Sequence, residues 1–272
     1  MSVAEHTVVA FLDGDDDPSI ANPIHSTEVA KQYGYAKALV GGVTVYGWTV
    51  PSILAVLGNG WLDDGWVDVS FRHPTYPGDT MTTRVESTGA ETASLLMSNQ
   101  EGAGCLVGMV GRGPAPWLGE LVMPVDRRPL PALAQVPELT LANAPIGQDL
   151  RPMTVPILLA DAVAYALEKQ KDPDPKWTAP GGRIHPGWIA ARMRPLMNHS
   201  YHYSPGIHTR SQIQHMRPAH IGQVVTLAAR FVEAYERKGH HYAVTDGVML
   251  SEGGEELARL RHTTIFHVAK RD

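Results

Sequence analysis

The feature of this chain that most narrows its possible folds is that its second half repeats its first. At a gapless offset of 144 residues, Pro74 falls on Pro218, Gly78 on Gly222 and Thr82 on Thr226. The same offset lays Pro51 on Pro195, each inside an apolar run that reads as a buried helix, where proline is costly. It also sets Gly41-Gly42 against His185-Pro186, at the mouths of those two helices. One register that aligns turn, helix and helix mouth is the mark of an internal duplication.

Each copy has a legible internal plan. Residues 7–12 form a β-branched and aromatic run ending in Asp13-Gly14, a strand and turn signal. Residues 28–33 suit a short helix closed by Gly34. Residues 43–57 carry no charge on any face, which predicts a helix surrounded by protein, stopped by Gly58-Asn59-Gly60. Strand-like runs follow at 66–71, 80–86, 93–98 and 105–110, with a turn at 74–79. The second copy offers a helix at 187–199 and strands at 224–234, 242–250 and 257–267.

Between the copies, residues 113–156 hold nine prolines and read as an extended, semi-rigid linker. The expected division is residues 1–112, a linker over 113–156, and residues 157–272. A sheet wrapped round one apolar helix leaves its edges open, so the economical arrangement joins the two sheets edge to edge about a pseudo-two-fold axis.

Composition excludes several function classes. The net charge is −5, and Lys and Arg are scattered singly, so nothing marks a nucleic-acid surface. No apolar run reaches 18 residues, and the first residues lack the pattern of a secretory leader, which implies no membrane partner and a cytoplasmic location. Cys105 stands alone, so neither a disulfide framework nor a thiolate metal site fits within one chain.

The chemistry concentrates between Asn22 and Gly42. Asn22-Pro23-Ile24-His25 puts a titratable group on a Pro-fixed turn, and Gly41-Gly42 opens the buried helix with backbone N–H donors. Together these are the minimum equipment for acid–base work beside a carbonyl. With Phe71-Arg72-His73-Pro74 and Gly78-Asp79-Thr80, the stretch resembles the MaoC-like hot-dog proteins, which include the (R)-specific enoyl-CoA hydratases and β-hydroxyacyl thioester dehydratases. The resemblance covers the whole chain and implies an α+β double hot-dog.

It further implies an acyl thioester, CoA- or carrier-linked, as the small-molecule partner. No cofactor beyond that carrier and no metal are expected, and a homodimer of double hot-dog chains is compatible with the family. His25 carries over as the acid–base candidate, Asn22 as the residue that holds its loop or a water, and Gly41 and Gly42 as oxyanion-side candidates. The family pattern Asp-x-Asn-Pro-x-His is broken here, because Ile20 stands in the acid position. In the second half, Asp172-Pro173-Asp174-Pro175-Lys176-Trp177 keeps the acid and replaces the histidine with Trp177.

The remaining candidates have bland readings as well. Asp15, Asp16 and Asp17 offer a replacement carboxylate or simply a solvated turn. His185 either faces a second cleft or bonds a helix-end backbone group, and Asp172 either serves that cleft or caps a turn. His199 and His202 have a spacing usable by a metal but no clustered carboxylate or cysteine. The leading expectation is a hydratase or dehydratase, a lyase acting on a 2-enoyl or 3-hydroxyacyl thioester. A non-catalytic acyl-binding subunit is the alternative. A hot-dog thioesterase is less favoured, since neither helix carries the Asp or Glu such enzymes place there.

Overall fold

The computed structural model describes residues 2–270, so Met1 and Arg271–Asp272, the outermost residues of the two expected units, lie outside the described residues. The strands are β1 (Val3–Val9), β2 (Gly65–Phe71), β3 (Thr80–Ser87), β4 (Thr92–Ser98), β5 (Gly104–Arg112), β6 (Met153–Pro156), β7 (Ile207–His215), β8 (Val224–Arg237), β9 (His240–Leu250) and β10 (Glu256–His267). They build one antiparallel ten-stranded sheet in the order β1-β3-β4-β5-β2-β7-β10-β9-β8-β6. Each strand matches its repeat at the mirrored position, so the sheet is symmetric about the β2–β7 seam.

The seam shows where the axis runs. Asp68 on β2 pairs with Gln212 on β7, and the Asp68 carboxylate accepts a 3.0 Å hydrogen bond from Gln212 Nε2 across 144 residues of sequence. Trp66 pairs with Gln214 and Ser70 with Arg210, two further pairs that the offset interconverts. The duplicate halves thus meet on equivalent residues, and each sheet covers the edge that the other leaves open.

Helices share one core with one face of the sheet. They are α1 (Thr27–Gln32), α2 (Gly42–Gly47), α3 (Val50–Leu57), α4 (Trp61–Asp64), α5 (Leu159–Ala164), α6 (Pro175–Thr178), α7 (Pro186–Ala190) and α8 (Met193–Asn198), with a π-turn at Tyr165–Gln170 after α5. The single helices expected at 43–57 and 187–199 are each two: α2 breaks from α3 just before Pro51, and α7 from α8 just before Pro195. A proline has no N–H for the carbonyl four residues back and its ring crowds that carbonyl, so Gly47 and Ala191 end their turns. Trp48, Ile53, Trp188, Ile189 and Met193 are buried in one core with strand residues such as Val67, Met97 and Ile213.

The repeat extends to single hydrogen bonds. Gly78 and Gly222 both take left-handed φ angles, +92° and +98°, which only glycine adopts readily. Their N–H groups donate at 2.8 Å to Ala10 and Ile157. Val40 N–H donates to Thr75 O at 2.9 Å and Ile184 N–H to Ala219 O at 3.0 Å, the same bond one repeat later.

The Pro-rich linker is tied down rather than spanning free space. Ala115 N–H donates to Gln214 Oε1 at 2.7 Å and Val122 N–H to Asp246 Oδ2 at 2.7 Å. Met123 packs on Ala228, Val248 and Leu250, covering the sheet face turned away from the main core. Residues 153–156, expected as linker, are β6, the outer strand of the second half, paired with β8.

Candidate functional site

A cavity of about 610 Å³ opens where the mouth of α2 meets β7, β10 and the α7–α8 break. His25, Gly41, Gly42 and Asn22 all line it. The sequence stretch that suggested chemistry is therefore brought to one place, and residues from the second half close the other side.

His25 sits on the 3₁₀ turn Pro23–His25 and is held in one tautomer by a chain of bonds. Gly206 N–H donates to Asn22 Oδ1 at 3.0 Å, which fixes the amide's orientation. Asn22 Nδ2 then donates to Gly206 O at 2.9 Å and to His25 Nε2 at 3.0 Å. The opposite ring nitrogen, Nδ1, carries the proton and donates to Leu39 O at 2.7 Å. His25 is thus a neutral imidazole with its basic nitrogen at Nε2. Burial lowers its pKa, partly opposed by the bond to Leu39 and by the charge of Asp13.

The helix mouth lies beside it. Gly41 O accepts from Thr44 N–H at 2.9 Å and Val45 N–H at 3.0 Å, leaving the Gly42 and Val43 N–H groups without a helix acceptor. A Cβ on Gly41 would lie 3.9 Å from His25 Nε2, and one on Gly42 would lie 3.2 Å from His208 Nδ1. Two histidines therefore flank the glycine pair, one on each residue's side.

His208 was missed as a site residue by reasoning from sequence. It comes from β7 and donates through Nε2 toward Arg210 O at 3.2 Å, with Ser211 Oγ also at 2.8 Å. Its Nδ1 has no protein partner, and burial pushes its pKa down to about 4. His262 on β10 packs against it in a tilted ring contact, centroids 4.3 Å apart, and its own Nδ1 is buried without a partner among the described residues. A β-bulge between Thr263 and Thr264 lies next to this pair, and bulges re-aim side chains at sites of this kind. The His262 pKa is lowered well below the usual range by burial, then by His208 and Arg194.

The cavity's electrostatics are one-sided. Arg72, Arg194 and Lys238 line it, and no Asp or Glu does among the described residues. The acidic turn supplies no replacement carboxylate: Asp16 holds the Thr27 hydroxyl at 2.6 Å, Asp17 accepts from Ser19 N–H at 2.7 Å, and Asp15 does not line the cavity. Asp13 sits under the mouth, accepting from Thr44 Oγ1 at 3.0 Å.

The second half's counterpart is filled. Leu39 N–H donates to Ile24 O, and its repeat, Arg183 N–H, donates to Lys176 O, which sets Trp177 in the place of His25. The Trp177 Nε1–H donates to Asp172 Oδ2 at 2.7 Å and the ring is 1% exposed. Asp172 also caps the turn by accepting from Asp174 N–H at 3.1 Å. It lines a separate cleft of about 350 Å³ against α3, away from His25.

His185 is the N-cap of α7: its Nδ1 accepts from Gly187 N–H at 3.1 Å, and burial takes its pKa to about 3. Neither second-half candidate reaches the large cavity. His199 Nε2 bonds Leu130 O at 2.9 Å, and no cluster of three potential metal ligands occurs among the described residues.

No family model matches the chain, and no curated protein matches it. Solved structures do. A MaoC domain dehydratase protein from Chloroflexus aurantiacus superposes with a TM-score of 0.55 at 14% identity, over 90% of this chain and 86% of that one. A double hot-dog protein from Mycobacterium tuberculosis gives 0.56 at 13% identity, over 87% and 84%. A protein named for oleoyl thioesterase activity from Lactobacillus plantarum gives 0.55 at 8% identity, over 100% and 98%. At such identities the likeness speaks to fold, and it spans both lyases and hydrolases. No described helix is long and apolar enough to cross a membrane. The chain is a double hot-dog, of the architecture shared by MaoC-like dehydratases and hot-dog thioesterases.

Proposed function

We propose that the chain is an acyl-thioester hydratase or dehydratase acting on a 2-enoyl or 3-hydroxyacyl group. The observation that carries this reading is the placement of a neutral, tautomer-fixed His25 beside the open N–H groups of Gly42 and Val43, in a cavity large enough for an acyl chain. In hydration, water oxygen bonds to the β-carbon as His25 Nε2 takes one of its protons. The π electrons move toward the thioester oxygen, where the Gly42 and Val43 N–H groups stabilise the enolate. The imidazolium then gives its proton to the α-carbon, so atoms and charge balance with a single base.

A one-base cycle suits a cavity with no lining carboxylate. It also explains how Ile20 is tolerated in the acid position. The Asn22 bond to Nε2 must open for the proton to arrive, at a cost of about 1 kcal/mol. The mirrored cleft is not a second active site on this reading, because Trp177 fills the histidine position.

The test is turnover of a chain-length series of 2-enoyl-CoA and 3-hydroxyacyl-CoA substrates by wild type and His25→Ala. Loss of turnover in His25→Ala is expected. Turnover that survives there and falls in His208→Ala would move the base to His208, whose Nδ1 is already open.

One observation favours a second reading, a non-catalytic acyl-thioester binding subunit. The ring nitrogen of His25 able to act as a base is occupied by Asn22, and among the described residues no Asp or Glu lines the cavity. Binding of acyl-CoA with no turnover at any chain length would establish that reading. The thioesterase reading has no support at the central helices, since α2, α3, α7 and α8 contain no Asp or Glu.

A further inference from the structure

Arg194 is a cation of the large cavity whose protein contacts use only part of its guanidinium. It rises from α8 into the reacting end of the cavity. Its Nη2 donates to Ala21 O at 3.3 Å, in the loop that carries Asn22, and its guanidinium lies over the Tyr203 ring at 5.1 Å. A Cβ on Gly206 would fall 2.7 Å from Nη1, so the guanidinium packs directly on the backbone that locks Asn22 to His25.

A guanidinium carries five N–H donors, and one long bond to a carbonyl leaves most of them open. No carboxylate pairs with Arg194 among the described residues, although most other arginines of the chain, such as Arg112, Arg183, Arg210 and Arg261, have one. A guanidinium that lines a cavity with open N–H groups and no protein carboxylate is available to an anionic group of a ligand.

The cavity's other two cations, Arg72 and Lys238, have a different setting. Both are exposed, whereas Arg194 sits deeper, against Tyr203, which is 1% exposed. Exposed cations at a rim suit the phosphates of a carrier. A planar fork beside the reacting histidine suits a carboxylate, which it can hold bidentately.

We infer that the acyl group taken by this cavity carries its own carboxylate, bound by Arg194, so that the substrate is a carboxy-acyl (dicarboxylic acid) thioester. The inference rests on the acyl-thioester reading above. It adds a substrate class that the motif around His25 does not specify, and it uses a residue contributed by the second half of the chain.

The experiment compares freshly prepared saturated probes, which a hydratase cannot turn over, on one carrier, so that carrier phosphates cancel. Calorimetric affinities of the whole chain are measured for succinyl-CoA against butyryl-CoA and for glutaryl-CoA against pentanoyl-CoA. In at least one pair the carboxylated member should bind about tenfold more tightly or better, the scale of one charge-assisted bidentate contact. Arg194→Met should abolish that preference and Arg194→Lys should retain part of it, with folding of each variant checked by circular dichroism.

Equal affinity within both pairs, or a preference that persists in Arg194→Met, overturns the inference. If Arg194→Met does not fold, the wild-type pairs decide alone. Equal affinities accompanied by turnover of neutral enoyl thioesters would sink this inference and leave the hydratase reading intact. A clear carboxylate preference with no turnover of any enoyl thioester would do the reverse.

Discussion

Asn22 and Gly206, 184 residues apart, exchange two hydrogen bonds, and through them the second half of the chain orients the amide that faces a histidine in the first. The amide oxygen is committed to Gly206 N–H, so the amide nitrogen must face His25 Nε2. A hydrogen bond donated to the neutral form of a base disfavours its protonation. Burial lowers the His25 pKa, and a donor held at Nε2 favours the same neutral form.

Asn22→Ala should separate these effects. The variant leaves the Gly206 N–H and C=O without their partner, which should lower stability by about 1–3 kcal/mol in chemical denaturation. It also removes the donor at Nε2, so the His25 pKa measured by NMR titration should rise toward the ordinary histidine value. For the wild type, a base that works as neutral imidazole gives activity that falls as the pH drops through a value below 6.5. The acid limb of Asn22→Ala should lie at higher pH than that of the wild type. An unchanged His25 pKa would mean that the bond to Asn22 does not control the ring.

The two glycines at the helix mouth should behave differently. At Gly41 the backbone is extended, with φ −60°, and the nearest atom to an added Cβ is 3.6 Å away, so Gly41→Ala should be tolerated. At Gly42 the added carbon would meet His208 at 3.2 Å and Phe71 at 3.3 Å. Gly42→Ala should therefore shift His208 and Phe71 by a few tenths of an ångström and lower kcat/KM, while Gly41→Ala leaves it near the wild-type value. Equal kcat/KM in the two variants would show that the substrate carbonyl does not lie at this mouth.

Much of this site was legible in the sequence, and what was missed has definite physical reasons. The offset of 144 and the glycines at 78 and 222 follow from local turn chemistry, so the duplication and the symmetric sheet could be read directly. His25, Asn22, Gly41 and Gly42 were found because they lie within one short stretch. His208, His262 and Arg194 were not assigned to the site, because their place in it depends on the pairing of β7 with β2 and β10, contacts far apart in sequence. A signal did exist for the strand bearing His208: residues 66–71 shifted by the offset predict a strand over 210–215, and β7 begins just before it. The helix breaks were signalled too, since Pro51 and Pro195 were recognised as costly where a continuous helix was expected.

The second half gives a control for the first. Asp172 occupies the acid position of the repeated motif but bonds Trp177 Nε1–H at 2.7 Å and lines the other cleft. Asp172→Ala should leave kcat/KM for enoyl thioesters unchanged while lowering stability by about 1–3 kcal/mol, because the buried indole N–H loses its acceptor. A drop in turnover without a drop in stability would place Asp172 in the chemistry and require a contact between the two ends of the sheet.

The buried histidines make acid stability the last test. His185 has a folded pKa of about 3 because burial disfavours its charged form, whereas the unfolded chain titrates it near 6.5. Since the folded value is depressed, its neutral form adds stability that is fully present above pH 6.5 and is lost as the pH falls toward 3. Within that window the unfolded chain binds one more proton at this site, a slope of about 1.4 kcal/mol per pH unit. His185→Asn keeps an N-cap acceptor for Gly187 N–H and removes the titrating ring. Denaturation midpoints measured from pH 7 to pH 4 should therefore fall less steeply in His185→Asn than in the wild type. His208 and His215, each with a pKa near 4, should keep part of the acid limb in both proteins. Parallel curves for variant and wild type would mean that His185 gains its proton without leaving the fold, and that its burial between Trp177 and Tyr165 is not what holds it neutral.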